Sequence, residues 1–495
     1  MEESAIVQHF EGKTIFITGG TGFLAKKKIL RIQPNIKKLF LLIRGTSERS
    51  IKQRLQDEVV NIELFRVLRE GCGANLDSIL LEKVIPISGD VSHENLGIVD
   101  SELRDEMWRE IDIIVNSAAT TNFDERYDVA LGINTLGSMH VQNFARKCPK
   151  IEMILHVSTA FVRGTAVGLI QEKPLHMGET LPGSKVPFLD INEEEKIIEE
   201  KLRELQTLKA TEKEITKVMK DLGIERSILH GWPNTYVFTK AMGEMLFEEF
   251  KEKANVVILR PTIITSTYKE PFSGWIEGIR TVDSIYVAYG QGKLKVFVGD
   301  PESILDMIPG DMVVNSMLAV IATHSNQTSD QNLFIYHIGS SRRNPIKYGE
   351  LKRLAHQYLI DNPLLDSGGK PIKIGKLTTL DTMASFHNYI AIHYIPFIKV
   401  LKLINMIFCN YFESRYVNAN RRINRAMRLA ELYKPYLFSQ GIFDDVTTEN
   451  LRTTIREGKI NMDVLNFDPK CIQWDEYFLN THFPGIVKYV LKQSI

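Results

Sequence analysis

Residues 14–25, with the sequence TIFITGGTGFLA, constrain the fold more than any other stretch of the chain. The first four residues form an apolar, β-branched run that is typical of a short buried strand. Glycines at 19 and 22 and an alanine at 25 then have the spacing of a dinucleotide-binding strand–turn–helix, whose helix N-terminus favours phosphate. We therefore predict cofactor contacts from this turn: Thr18, Gly19, Gly20, Thr21, Gly22, Phe23, Leu24 and Ala25.

Five more apolar runs predict further strands, at residues 38–44, 84–90, 111–116, 151–157 and 255–262. Helical patterns lie between them, which indicates an α/β fold with a Rossmann-type, doubly wound parallel sheet. Ligands bind at the carboxyl ends of the strands in such sheets, where small residues leave room for a cofactor. The candidate cofactor contacts at these ends are Asp90, Val91, Asn116, Ala118, Ala119, Pro261 and Thr262.

The end of the second strand bears on the choice of cofactor. An acidic residue there would hold the ribose 2′-hydroxyl of NAD, but this strand ends in Arg44, which suits a 2′-phosphate. Arg54 is a candidate second contact. The alternative is an arginine in solvent at the end of a strand. We predict NADPH as the cofactor.

Tyr236 and Lys240 are four residues apart at the start of a predicted helix, so they share a helix face. An ammonium near a phenol lowers the phenol pKa, which lets the tyrosine exchange a proton with a carbonyl oxygen. The same spacing recurs at Tyr289 and at Tyr348, but only Tyr236 follows the strand that ends before Thr159. Tyr236 is therefore our candidate acid, with a structural tyrosine as the alternative.

Composition excludes several classes of protein. Lys plus Arg and Asp plus Glu balance at 61 each, so no overall field favours nucleic acid. The four cysteines are scattered, and His387 and His393 have no carboxylate or thiol neighbour at ligand spacing, so we expect no metal. The short acidic N-terminus resembles neither a signal nor a transit peptide, so we expect the cytosolic face of the endoplasmic reticulum membrane or the cytoplasm.

A Gly- and Pro-bearing linker at residues 362–376 suggests two domains, 1–375 and a smaller, mostly helical 376–495. Residues 386–412 are apolar and aromatic, but their charge-free run is shorter than the roughly 20 residues that a spanning helix needs. They could form a core, the wall of an acyl tunnel or a monotopic membrane contact. With the arginines that follow, residues 386–428 are a candidate peripheral membrane contact.

With these residues in hand, the chain resembles the plant type of alcohol-forming fatty acyl-CoA reductases, the group that includes male-sterility proteins. The resemblance covers nearly the whole chain and is carried by TGGTGFLA, NSAATTNFDERYD, INTLG, HVSTA, HGWPNTYVFTKAMGEM, LRPTIITS, GWIEGIR, GIFDD and FDPKCIQWDEYF. The chain departs from the family in a shorter first helix that contains three lysines, in Phe161 and in Gly310.

The resemblance implies an extended short-chain dehydrogenase fold and two hydride transfers from NADPH. A long-chain fatty acyl-CoA would pass through a bound aldehyde to a primary alcohol of the wax or suberin type. It also implies that Tyr236 and Lys240 are catalytic and that Thr159, with Ser158 beside it, bonds the substrate oxygen. The alternatives are a reductase that stops at the aldehyde, a small-ketone reductase, or a non-catalytic protein that binds acyl-CoA and NADP. Chain-length preference and oligomeric state are not indicated by the sequence.

Overall fold

The computed structural model describes residues 9–24, 36–45, 47–65, 70, 82–165, 167–325, 332–457 and 465–493. Ala25, the last residue predicted for the cofactor turn, lies outside the described residues. The predicted first helix with its three lysines does so as well, and the expectation that it lacks about one turn is not addressed by the structure.

A seven-stranded parallel sheet forms the centre of the molecule, in the order β11-β7-β5-β4-β1-β2-β3. The chain adds strands outward on one side of β1 and then on the other, which confirms the predicted doubly wound α/β fold. The strands are β1 (Thr14–Thr18), β2 (Lys38–Ile43), β3 (Val84–Ser88), β4 (Ile113–Asn116), β5 (Met153–Val157), β6 (Gly168–Ile170), β7 (Asn255–Pro261), β8 (Ile263–Thr265), β9 (Val296–Val298), β10 (Met307–Pro309), β11 (Leu333–Ile338), β12 (Thr378–Leu380) and β13 (Gly441–Phe443).

Both faces of the sheet are buried. Along β1, Ile15 and Ile17 pack into one apolar cluster, whereas Phe16 between them packs into another on the opposite face. Successive side chains of a strand point to opposite faces, and helices cover both faces here, which explains the continuous apolar runs in the sequence.

The helices are α1 (Glu48–Leu55), α2 (Ser101–Glu110), α3 (Tyr127–Leu131), α4 (Gly137–Arg146), α5 (Ile191–Thr207), α6 (Glu212–Leu229), α7 (Thr235–Met245), α8 (Thr281–Gly290), α9 (Gly310–His324), α10 (Tyr348–Asp361), α11 (Met383–His393), α12 (Ile395–Ile407), α13 (Glu413–Leu437), α14 (Val446–Glu457), α15 (Trp474–Tyr477) and α16 (Phe483–Gly485). Short π-helical turns extend several of them, as at residues 478–482 and 486–490. The charged segment at 192–222 forms α5 and the start of α6, with the side chain of Thr211 capping α6.

Helix α7, which carries Tyr236 and Lys240, is fixed to the sheet by a buried ion pair. Arg260 on β7 contacts both carboxylate oxygens of Glu244 on α7, with N–O distances between 2.6 and 3.1 Å. Both side chains are fully or almost fully buried. A buried arginine needs such bidentate pairing to offset the loss of its water shell.

The C-terminal segment packs against the sheet domain over a wide area. β12 pairs with β9, and β13 pairs with β6. Apolar side chains of α14 and of residues 465–487 share one core cluster with the strands and α9. The proposed division after residue 375 therefore marks a loop in the chain rather than a separation of cores, and the domain boundary stays a prediction.

The apolar segment at 386–412 does not form a buried core, because most of its large apolar side chains are exposed. Within α11 and α12, Phe386, Ile390 and Ile398 are buried, but the side chains of Ile392, Phe397, Val400, Leu403, Met406 and Ile407 are all more than half exposed. The segment Met383–Ile407 is 25 residues long and meets the length and composition of a membrane span, with 17% of its most apolar window buried. The charge-free run is shorter than a span, as expected, because Lys399 and Lys402 interrupt it, but the helical stretch that contains it reaches the length and mean hydropathy of one.

Candidate active site

The cofactor turn follows β1 as predicted. Gly19 has a positive φ of 71°, and a Cβ on it would lie 2.9 Å from the Cα of Ala118. Gly22 donates its N–H to the carbonyl of Gly19 at 2.8 Å, and a Cβ there would lie 3.0 Å from the same oxygen. The turn is therefore tight, because a side chain on Gly19 would meet the backbone of Ala118 and one on Gly22 would meet the carbonyl of Gly19.

The other predicted cofactor residues lie at the carboxyl edge of the sheet. Thr18 and Asn116 end adjacent strands in register, and Ala118 and Ala119 follow directly. The side chain of Asp90 caps its own turn by accepting from Ser92, so it is already engaged. Val91 packs beneath Gly137. On the far side, Pro261 ends β7, and Thr262 donates its N–H to Ile338.

The two candidate phosphate contacts differ. Arg44 follows β2 with an exposed side chain. Arg54 instead pairs with Glu58 one helical turn away, at 2.6 Å, and also donates to the carbonyl of Arg44. The guanidinium of Arg54 is therefore already bonded to Glu58 and to the backbone at the end of β2. A contact between Arg54 and a 2′-phosphate would have to compete with these bonds. Arg44 stays a prediction.

Tyr236, Thr159 and Ser158 converge above the end of β5. Tyr236 lies in the first turn of α7, which Asn234 caps by accepting the N–H of Val237 at 3.1 Å. The hydroxyl of Thr159 lies near enough to the phenol of Tyr236 to favour the ionised form and so to lower the phenol pKa. The hydroxyl of Ser158 is buried and has no hydrogen-bond partner among the described residues. A buried hydroxyl is costly to leave without a hydrogen bond, so the Ser158 hydroxyl is suited to donate one to a ligand oxygen.

The expected depression of the Tyr236 pKa is not found. Burial raises the pKa of Tyr236 to about 12, and the Thr159 hydroxyl and the charge of Arg280 oppose this rise. Burial also lowers the pKa of Lys240 to about 8, against the charge of Glu244. Desolvation is the main cause of the raised phenol pKa. The amine of Lys240 donates to the carbonyl of Val157, at 2.8 Å, and lies 3.3 Å from Nε2 of His156. The lowering of the phenol pKa by Lys240 stays a prediction.

A buried chain of hydrogen bonds, which we call the β1–α7 chain, links Thr18, Asn116, His156 and Lys240. The hydroxyl oxygen of Thr18 accepts the N–H groups of Ser117 and Ala118 at 3.1 Å, so it donates its proton to Oδ1 of Asn116, at 2.8 Å. The amide nitrogen of Asn116 then donates to Nδ1 of His156 at 3.0 Å.

This order of donors fixes the histidine tautomer. Nδ1 of His156 is an acceptor, so the ring proton lies on Nε2, which is 3.3 Å from Nζ of Lys240. Burial and the nearby Lys240 charge hold the pKa of His156 well below its usual value, so the ring is neutral. An N–H directed at the amine favours the neutral form of Lys240, in the same direction as burial.

Sequence reasoning missed several residues that surround Tyr236. Phe123 stacks on Tyr236 at 5.7 Å between ring centroids, and Tyr436 stacks on Phe123 at 5.2 Å. Tyr433 approaches the same phenylalanine at 5.6 Å. We call Phe123, Tyr433 and Tyr436 the aromatic cover. Phe123 lies in the NSAATTNFDERYD motif and Arg280 ends the GWIEGIR motif. These two motifs were the features of the sequence from which both residues could have been assigned to the site.

The C-terminal segment thus contributes directly to the site. The hydroxyl of Tyr436, near the end of α13, accepts from Nδ2 of Asn234, the residue that caps the catalytic helix, at 2.8 Å. Arg428 on the same helix binds Asp124 at 2.6 Å, next to Phe123. The site is therefore assembled from both ends of the chain.

The other two tyrosine–lysine pairs lie elsewhere. Tyr289 is in the last turn of α8, and Lys293 lies beyond it, as the sequence indicated. Tyr348 and Lys352 share α10, but Lys352 donates to Thr379, at 2.9 Å. Within the described ranges, no group of three or more His, Cys, Asp or Glu could hold a metal.

The arrangement is suited to proton transfer beside a dinucleotide. The glycine turn and the edge residues leave a cradle for the cofactor, and the buried unpaired Ser158 hydroxyl lies beside the hydroxyls of Thr159 and Tyr236. A carbonyl oxygen held by these hydroxyls can accept the Tyr236 proton while a nicotinamide supplies hydride.

Two family models, both described as male sterility protein, match residues 17–317 and 392–493. Fatty acyl-CoA reductase 1 of Arabidopsis thaliana is 51% identical over 99% of this chain and 100% of its own length. The alcohol-forming fatty acyl-CoA reductase of Simmondsia chinensis is 48% identical over 99% of this chain and 100% of its own length.

Two solved structures share the fold. The reductase domain of a nonribosomal peptide synthetase from Mycobacterium tuberculosis superposes with a TM-score of 0.55 at 15% identity, covering 98% of this chain and 96% of that one. The terminal reductase domain of the myxalamid pathway gives 0.54 at 16% identity, covering 96% and 91%.

We expect His156→Gln to raise the pKa of Lys240 by about one unit, because an amide oxygen in place of Nε2–H favours the ammonium. The measurement is the pH dependence of carbonyl reduction, whose Lys240-dependent midpoint should move upward from about 8. His140→Gln is the matched control, because His140 is buried but bonds the carbonyl of Val91 instead. An unchanged midpoint in His156→Gln would contradict the assigned tautomer.

Proposed function

The chain belongs to the male sterility protein family, and from this membership we propose that it reduces long-chain fatty acyl-CoA to primary fatty alcohol with NADPH. It is an oxidoreductase of the fatty acyl-CoA reductase group, with a nicotinamide-binding sheet domain. The observation that carries the proposal is the convergence of Tyr236, Lys240 and Thr159 at the carboxyl edge of that sheet, in a chain nearly half identical to an alcohol-forming relative.

On this proposal, each residue of the site has one role in the reduction. Thr159 and Ser158 hold the carbonyl oxygen of the thioester, and Tyr236 donates a proton to it. On this proposal Lys240, which lies one helical turn after Tyr236 and donates to the carbonyl of Val157, supplies positive charge near the phenol in its protonated form. The bound cofactor supplies the hydride. Loss of the CoA thiol leaves an aldehyde, and a second hydride and proton complete the alcohol.

A primary alcohol requires that the aldehyde stay bound while the cofactor is exchanged. The aromatic cover supports retention, because Phe123 and Tyr436 close over Tyr236 and leave the phenol only partly accessible. A reductase that releases the aldehyde is the second candidate. Product analysis separates the two, because alcohol with little free aldehyde supports the first.

The preference for NADPH rests on Arg44. Its exposed guanidinium follows β2, at the position where an acid would hold the 2′-hydroxyl of NAD, and its backbone is held by Arg54. A guanidinium there can form a charge-assisted pair with a 2′-phosphate.

We also propose peripheral membrane contact through α11 and α12. Their exposed apolar side chains lie beside the exposed lysines Lys399 and Lys402, and Arg421 and Arg422 on α13 are exposed as well. This combination suits insertion into the interface of a membrane that contains anionic lipids. On this proposal the enzyme works at a membrane surface. The cytosolic face of the endoplasmic reticulum membrane, with the cytoplasm as the alternative, stays the expectation from the sequence.

We expect Tyr236→Phe to lower the rate of acyl-CoA reduction by roughly 10²–10⁴ with NADPH affinity nearly intact, because only the proton donor is removed. Steady-state kinetics and cofactor titration measure the two effects. Tyr336→Phe is the matched control, because Tyr336 is a buried tyrosine whose hydroxyl bonds His324 at 2.7 Å. Turnover of the Tyr236→Phe enzyme within a few-fold of the parent would refute the assignment.

We expect Arg44→Ala to weaken NADPH binding and to leave NADH binding little changed, because only NADPH carries the phosphate. Fluorescence titration with both cofactors measures this, and Arg49→Ala, an exposed arginine on α1, serves as control. Equal losses for both cofactors would show instead that Arg44 supports the end of the strand.

We expect the triple variant Phe397→Ser, Leu403→Ser, Ile407→Ser to lose most binding to vesicles that contain phosphatidylserine, since it removes exposed apolar area from α12. Vesicle sedimentation measures this, with Val99→Ser and Leu208→Ser as controls at exposed sites elsewhere. Unchanged sedimentation of the triple variant would rule out α12 as the contact.

A further inference from the structure

The 266–280 loop connects β8 to α8 and contains neither helix nor strand. It is nevertheless hydrogen-bonded within itself. Thr267 donates its N–H to the carbonyl of Trp275 at 3.0 Å, and its hydroxyl oxygen accepts the N–H of Trp275 at 2.8 Å. The buried carboxylate of Asp311, on α9, accepts the N–H groups of residues 268–270 at 2.8–3.0 Å. These bonds fix the backbone of the loop, so a shift at one of its sides is passed to the other.

On one side, the 266–280 loop is held by the C-terminal segment. Tyr477, which is buried on α15, donates its hydroxyl to the carbonyl of Ser266 at 2.8 Å. On α16, a Cβ added to Gly485 would overlap the carbonyl oxygen of Gly274, so the two backbones are in direct contact. Only a residue without a side chain allows this approach. The loop therefore takes its position from the C-terminal segment.

On its other side, the same loop contacts the cofactor turn. The buried indole of Trp275 stacks on the ring of Phe23, with 5.1 Å between the ring centroids and an angle of 3° between the ring planes. Phe23 directly follows Gly22, the second glycine of the turn. Stacked rings have a preferred separation and orientation. The stack therefore fixes the backbone just after the turn, and in folds of this kind the backbone of the turn approaches the cofactor pyrophosphate.

We propose that Trp275 is a positioning residue for the nicotinamide cofactor, and that through it the C-terminal segment sets the position of the glycine turn. This inference rests on the proposed function for the identity of the cofactor. Trp275 acts through Phe23, so loss of the stack lets the turn shift and lowers cofactor affinity. The chemical step changes little, because Tyr236 lies on α7, which Arg260 and Asn234 hold instead.

The first test is Trp275→Leu in the full-length protein, titrated with NADPH and with NADH. We expect the Kd of the tighter-binding cofactor to rise about ten-fold, which corresponds to about 1.4 kcal/mol. We expect kcat at saturating cofactor to stay within about three-fold of the parent, and Trp275→Phe, which keeps a ring, to restore most of the affinity. Trp108→Leu is the matched control, because Trp108 packs on Phe144, at 5.8 Å, on the opposite face of the sheet. An unchanged Kd in folded Trp275→Leu would overturn the inference.

A double-mutant cycle shows whether the two rings act through each other. Phe23→Leu removes the same stack from a partly buried residue, so it tests the contact even if Trp275→Leu does not fold. We expect Phe23→Leu and Trp275→Leu to raise the Kd equally, and the double variant to bind no more weakly than either single variant, because one contact is lost in all three. Losses that add in the double variant would show that the rings act independently and would overturn the inference.

A third variant tests the origin of the effect in the C-terminal segment. Gly485→Ala pushes the 266–280 loop away from α16, so cofactor affinity should fall although residue 485 lies outside the sheet. Gly375→Ala is its control, because a Cβ there meets nothing within 4 Å. Melting temperatures verify folding, and an unchanged Kd in folded Gly485→Ala would refute the role of the C-terminal segment. Failure of the proposed function is distinct: a parent that binds NADPH but reduces no acyl-CoA would refute that function alone, and the measured Kd values would still decide the inference.

Discussion

The β1–α7 chain is the interaction on which the rest of the site depends. It runs from Thr18 through Asn116 and His156 to Lys240, and so joins β1, β4, β5 and α7. All four side chains are buried, where an unpaired polar group costs about 1–3 kcal/mol. Each donor therefore has to meet an acceptor, and a slip of β1, β4 or β5 by one residue would break the links that this strand makes. The same bonds connect Thr18, the residue before the glycine turn, to Lys240 through only two other side chains, Asn116 and His156. A change in the position of Thr18 would therefore change the hydrogen bonds around Lys240, and with them its protonation.

The second constraint is that the site is closed by residues distant in sequence. Asn234 caps α7 and also binds Tyr436, so the start of the catalytic helix and the end of α13 are held by one side chain. The Arg260–Glu244 pair holds α7 from its other side. Since apolar residues of the C-terminal segment share a core with the sheet, this segment is part of the catalytic unit rather than an appendage.

The sequence was sufficient for the framework of the fold, because strands buried on both faces need continuous apolar runs. All six predicted strands begin within two residues of the observed ones. The location of Tyr236 followed from its position after β5, which a topology of this kind fixes. The sequence analysis did not consider that Arg54 has a partner, Glu58, one helical turn away, and the contact of Arg54 with a 2′-phosphate stays a prediction. His156 was missed because its role depends on which ring nitrogen faces which partner. The exposure of α12 could not be predicted either, since an apolar helix has the same sequence pattern whether protein or lipid covers it.

These features together suit an amphiphilic substrate whose reacting carbon lies at the boundary between its polar and apolar parts. On one side of Tyr236, the exposed guanidinium of Arg280 donates to the hydroxyl of Thr121 at 3.4 Å. On the other side, the aromatic cover of Phe123, Tyr433 and Tyr436 presents mainly carbon. On the proposed function, a thioester that keeps its polar group in water and passes its chain along the aromatic cover brings its carbonyl to Tyr236 and Thr159. The aldehyde keeps the chain and loses only the CoA group, so the contacts that position the chain position the aldehyde as well, and the second reduction needs no second site.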